Sequence, residues 1–159
     1  MKNREKASLS LLDTSFDGKE SYRLEIRPLT KERAFAEYRN SGGETLVWDE
    51  MEKNMPYVVP EPEGLNVMIL RFGRSIGDDK VLAEMDKLGV CPLTYEELIQ
   101  YGIARPEHQR QRTLVGLGTK HAFGYCLYAP TLSFTDGTRT MIACCGDWGD
   151  RYRFPVVRK

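Results

Sequence analysis

Histidine is scarce in this chain of 159 residues: only His108 and His121 occur. Histidine-rich metal centres are excluded at once. Cysteine is sparse too, at positions 91, 126, 144 and 145. Four in 159 residues is far below the density of a disulfide framework. No segment approaches about 18 uninterrupted apolar residues, so no membrane-spanning helix is expected. The opening Met1–Lys6 is charged, and Leu9, Leu11 and Leu12 form too short and interrupted a run for a signal-peptide core. A cytoplasmic location is the expectation. Neither an internal repeat nor a low-complexity segment is present. No net charge of one sign exists either: 23 Lys and Arg balance 23 Asp and Glu.

What is present is an ordinary globular composition, 41% hydrophobic and 29% charged. The length suits one domain with a real core. The charge is unevenly placed. Residues 1–100 carry 14 basic and 19 acidic side chains, and residues 101–159 carry 9 and 4. Such asymmetry marks either a nucleic-acid face on the second half or two halves that attract across one fold.

Residues 1–20 show no period and are expected to be a mobile arm, followed by a single domain over 21–159. Tyr22–Arg27 alternates like a strand. Thr30 is a helix N-cap, and Ala34, Phe35 and Tyr38 share one face of the helix it opens. Trp48, Met51 and Met55 suit a helical turn. Pro60-Glu61-Pro62-Glu63-Gly64 reads as a loop and a candidate internal linker. The apolar run from Leu65 to Phe72 predicts a buried strand. Asp78 is read as the N-cap of a helix ending at Gly89. Thr94 and Glu97 form a capping box, opening a helix that Gly102 is expected to stop. Pro106 opens a third short helix through Gln111.

After Thr113 the pattern changes to short strands: Leu114–Gly118, Tyr125–Tyr128, Thr131–Thr135, Thr138–Cys145 and Arg151–Val157. Asp136-Gly137 is the strongest hairpin signal. It pairs Thr135 with Thr138 and Leu132 with Met141. The adjacent Cys144 and Cys145 then point to opposite sides of the sheet. The fold class is therefore α+β: a mixed N-terminal half with short helices, then a C-terminal antiparallel sheet with a hairpin at Asp136-Gly137.

The functional patterns are few. Cys126, Cys144, Cys145 and His121 lack the paired spacing of a structural zinc site. Cys144 or Cys126 with His121 would supply a nucleophile and a base, but no third orienting group is legible. His108 lies in a polar helix and reads as a surface residue. The Met85–Leu98 stretch has the outline of a helix-turn-helix, yet its second helix opens on Glu96 and Glu97, unsuited to reading DNA. Gly73-Arg74-Ser75-Ile76-Gly77 lacks phosphate-loop spacing and is read as a plain connection. Arg105, Arg110, Arg112 and Lys120 precede a basic ending of Arg151, Arg153, Arg158 and Lys159. Tyr125, Tyr128, Trp148 and Tyr152 are aromatics that would interleave with them.

Two stretches carry resemblances. Asp78 to Leu98, DDKVLAEMDKLGVCPLTYEEL, resembles an uncharacterised family of bacterial proteins with a helix, a G-x-x-P-[LA]-T segment and a short helix. The closing YRFPVVRK, Tyr152 to Lys159, is similar to that family's last strand. The resemblance covers about residues 65–159 and implies a self-contained bacterial domain, with no catalytic residue. The closing strand is also weakly similar to the "G-F-R-x-V-R" ending of C-type-lectin-like domains of the sulfatase-modifying type. Tyr152 replaces their glycine, and their W-N-D calcium motif is absent, Asp147-Trp148-Gly149-Asp150 being the nearest stretch.

Taken together, these features point to a non-catalytic binding module with no cofactor and no metal, for which a protein partner is favoured over nucleic acid. The binding candidates are Trp148, Arg151 and Arg153, with Tyr125 and Tyr128 behind them. The alternatives are a nucleic-acid-binding protein using the basic half and a small cysteine-dependent enzyme.

Overall fold

The apolar run after Gly64 becomes the backbone of the sheet because both of its faces are covered. The computed structural model describes residues 14–16 and 21–159. Strand β4 (Glu63–Phe72) sends Leu65, Val67 and Ile69 into one core and Leu70 and Phe72 into a second. A strand buried on both faces has no polar alternation, which is why it reads as a continuous hydrophobic run.

The first core gathers under helices α1 (Lys31–Asn40), α2 (Asp49–Asn54) and α4 (Tyr95–Ala104), through Phe35, Tyr38, Met51, Leu98 and Ile99. The second lies under α3 (Asp78–Lys87), through Val81 and Met85, with Trp148, Phe154 and Val156 below. Each large side chain so buried contributes about 1.5–3 kcal/mol.

Among the described residues the sheet has ten strands. Its path runs β1 (Thr14–Phe16), β4, β10 (Tyr152–Arg158), β6 (Thr113–Val115), β8 (Cys126–Thr135), β9 (Thr138–Cys144) and β3 (Thr45–Val47). Strands β2 (Tyr22–Ile26), β5 (Val90–Pro92) and β7 (His121–Phe123) join β4, β10 and β8 respectively. The class is α+β. The sheet is mixed, with β10 parallel to β6 and β3 parallel to β9. It also draws strands from the front half of the chain and is not confined to the C-terminal part.

The hairpin register matches the expected one, from Thr135 opposite Thr138 to Leu132 opposite Met141. Asp136 and Gly137 both take positive φ, 51° and 81°, as a tight turn of this sequence requires. Several boundaries differ. Residues 63 and 64 are strand, paired with Ile26 and Glu25, so they are no linker. The arm expected over residues 1–20 lies outside the described residues except for Thr14–Phe16. Asp78 is the first residue of α3, and Gly77 caps it. Helix α4 runs through Gly102 to Ala104. Packing explains that glycine: a Cβ there would stand 2.8 Å from Leu132 Cδ1. Strand β8 continues through Pro130, whose carbonyl accepts from the Gly116 amide at 2.9 Å.

Helix α5 (Pro106–Gln111) forms as expected, but His108 is buried within it. Its Nδ1 meets the Tyr101 hydroxyl at 2.6 Å, and its ring packs against Tyr22 with centroids 4.4 Å apart. Burial holds its pKa below the ordinary histidine value, while Glu107 opposes that shift and Arg105 and Arg112 add to it. The unfolded chain therefore binds this proton more readily than the native one. Stability is complete above about pH 6.5 and falls as pH drops from there through the depressed native pKa. Urea midpoints at pH 7 and 5 check this. The drop attributable to His108 is absent in His108→Phe.

Candidate binding cleft

A cleft of about 800 Å³ opens at one end of the sheet. One wall is the hairpin of β7 and β8. Phe123 pairs with Cys126, leaving Gly124-Tyr125 as the two-residue turn. Gly124 takes φ +67°, the left-handed region that favours glycine. This turn puts Tyr125 at the tip, fully exposed, with Cys126 and Leu127 following along the wall. The opposite wall is Ser75-Ile76-Gly77 and the first turn of α3, Asp78 to Lys80. Between them lie Cys145, Gly146 and Asp147, with Lys120 on the hairpin stem.

Trp148 ties the far wall to the floor. Ile76 and Trp148 exchange backbone hydrogen bonds of 2.9 and 2.8 Å. The indole Nε1–H donates to Asp78 Oδ1 at 2.5 Å, and Lys120 Nζ stands 3.8 Å from Asp78 Oδ2. The indole packs nearly perpendicular to the Tyr152 and Phe154 rings, with centroids 5.0 and 6.0 Å away. Trp148 is thus a core residue, 1% exposed, and not part of an exposed rim. Its polar edge is used internally, as a buried indole requires.

The other sequence candidates separate. Tyr125 reaches the cleft. Tyr128 is half-buried against Trp48 and Phe123, at 6.1 and 5.7 Å. Arg151 is exposed and donates to the Tyr152 hydroxyl at 2.9 Å, with its guanidinium 4.9 Å from that ring. Arg153 donates to the carbonyls of Asp150 and Tyr152, at 2.5 and 3.2 Å. Neither arginine lines the cleft. Two other basic residues of the second half pair with acids of the first: Lys120 with Asp78, and Lys159 with Asp86.

The cysteines divide by sheet face. Cys145 contacts Cys126 and the Tyr128 hydroxyl, and hydrogen bonding to it raises the pKa of both. Cys144 points the other way, packs against the second core and has its thiol pushed up mainly by burial. His121 packs against Phe123 at 4.9 Å, and among the described residues no hydrogen bond joins it to a cysteine. No group of three or more His, Cys, Asp or Glu among the described residues could hold a metal ion.

The sequence reading assigns no site to Leu127 or Asp79, takes Ser75–Gly77 as a plain connection and meets Asp147 only in the comparison with a calcium motif, whereas all of them line the cleft. The left-handed Gly124 was the available signal for the hairpin tip. No local pattern announces that segments around 76, 126 and 146 converge. No protein-family model, curated protein or solved structure matches the chain.

Proposed function

We propose that the protein is a non-catalytic binding module that grips an extended, cationic segment of another protein in this cleft. One observation carries the proposal. Apolar surface is offered to solvent where the charged lining is net acidic. Tyr125 is fully exposed and Leu127 is 53% exposed on one wall. The charged lining is Asp78, Asp79 and Asp147 against Lys80 and Lys120. Exposed aromatic and aliphatic anchors beside a polar rim are what partner surfaces display. An acidic lining repels phosphate, which favours a protein ligand over nucleic acid. Cys126 has its thiol raised by Cys145, and among the described residues no basic side chain is bonded to it, so it lacks the lowered pKa of an activated catalytic thiolate.

Selection from random peptides displayed on phage tests this. Enriched peptides are expected to carry Lys or Arg flanked by apolar residues. Their affinity should fall at least ~10-fold with Tyr125→Ser or with Asp147→Asn, as for anchor contacts. Both variants should keep the wild-type melting temperature, since both side chains are exposed. Absence of enrichment, or peptides indifferent to both substitutions, overturns the proposal.

A further inference from the structure

We propose that Cys126 and Cys145 are a reversible dithiol–disulfide couple that closes by exchange with a low-molecular-weight disulfide. The geometry selects this pair out of four cysteines. Ala129 stands opposite Cys144 in the β8–β9 ladder, so the next step sets Tyr128 beside Cys145. Cys126 lies two residues before Tyr128, on the same face of the strand. Cys145 lies near enough to Cys126 to raise that thiol's pKa above its ordinary value. Both line the open cleft, so a small disulfide reaches them from solvent. Cys145 is just past the end of β9, and Gly146 follows it at φ +96°. That hinge lets the loop adjust from thiol contact to a bond of about 2.05 Å. The remaining cysteines are held elsewhere: Cys91 is in β5 opposite Val157, and Cys144 packs against the second core on the far face.

The chemistry balances as two exchanges. The Cys126 thiolate attacks one sulfur of the small disulfide, forming a mixed disulfide and releasing one thiolate. The Cys145 thiolate then attacks the Cys126 sulfur, closing the internal bond and releasing the second. The protein loses two electrons and two protons, and the small disulfide becomes two thiols. Because Cys145 raises the pKa of the Cys126 thiol, the first attack is slower at neutral pH than in mild alkali. The bond would staple the hairpin wall to the cleft floor. Its formation does not depend on any peptide occupying the cleft.

The test uses the full reduced chain incubated with oxidised glutathione, blocked with iodoacetamide and digested with trypsin. Cleavage after Lys120, Arg139 and Arg151 places Cys126 in residues 121–139, and Cys144 with Cys145 in 140–151. The cross-linked pair of these peptides is expected to exceed any other internal disulfide by ~10-fold or more, as proximity dictates. It should persist in Cys144→Ser and vanish in Cys145→Ser. Glutathione left on separate cysteines without an internal bond overturns the proposal. So does a cross-link that survives Cys145→Ser.

Discussion

Replacing Arg139 with alanine is expected to cost about 4 kcal/mol, read as a lowered urea midpoint at unchanged m-value. Arg139 is fully buried, and among the described residues no carboxylate is a hydrogen-bond partner of it. Its guanidinium donates to Ser41 Oγ at 2.9 Å and to the carbonyls of Gly42 and Gly102 at 3.1 and 2.9 Å. A longer approach reaches the Tyr38 carbonyl at 3.5 Å, and Nε donates to Gln109 Oε1 at 3.3 Å. Tyr38, Ser41 and Gly42 mark the C-terminal end of α1, and Gly102 lies in the last turn of α4. The negative ends of two helix dipoles thus supply the counter-charge that a carboxylate would otherwise provide. The Tyr38 ring, 4.6 Å from the guanidinium carbon, adds a cation–π contact.

Truncation to alanine leaves several buried acceptors unpaired, each worth about 1–3 kcal/mol, and opens a cavity. Arg139→Lys should fall between, because one ammonium cannot fan out to acceptors from two helices. A loss below about 1 kcal/mol for alanine would show that water replaces the guanidinium and that the helix ends do not depend on it. Gln109 completes the arrangement. Its amide donates to the Tyr38 hydroxyl and to the Ser133 and Thr140 carbonyls, at 2.8, 2.8 and 2.9 Å. Helix α5 is thereby tied to the hairpin it packs on.

This network marks where sequence legibility stops. The alternation of β9 was readable, and it places Arg139 on the same face as Met141 and Ala143. Only the residue type hid its burial, because a cation inside a core needs acceptors that lie far away in sequence. His108 went unrecognised for the same reason: its partners Tyr101 and Tyr22 come from other elements. Local signals did better. Thr30 and Thr94 cap their helices, Gly89 takes the left-handed position at φ +68°, and Asp136-Gly137 sets the register. The short strands β3, β5 and β7 carried too few residues for a period to show. Of the expected binding residues only Tyr125 lines the cleft, since its walls come from three separate loops.

Trp148→Ala is expected to lower stability by about 3–5 kcal/mol, the range for deleting a buried large aromatic. It should also abolish selected-peptide binding under conditions where the variant is still folded. The two effects have separable causes. The stability loss comes from the cavity left beside Phe154, Tyr152 and the second core. The binding loss comes from Asp78, which would lose its indole donor and with it the fixed orientation of the first turn of α3 against Ile76. Trp148→Phe separates them. It keeps most of the buried ring but removes the Nε1–H, so a net loss of about 1.5–3 kcal/mol is expected for a hydrogen bond to a charged acceptor. If Asp78 is oriented through that bond, Trp148→Phe weakens peptide binding while most of the stability remains. If binding is unchanged in Trp148→Phe, the backbone bridge between Ile76 and Trp148 alone sets the wall, and the indole serves only the core. Lys120→Met is the matching control from the other side of Asp78, where the 3.8 Å approach is partly exposed and worth little. Its stability should stay near wild type, and its more acidic cleft should hold a cationic peptide more tightly.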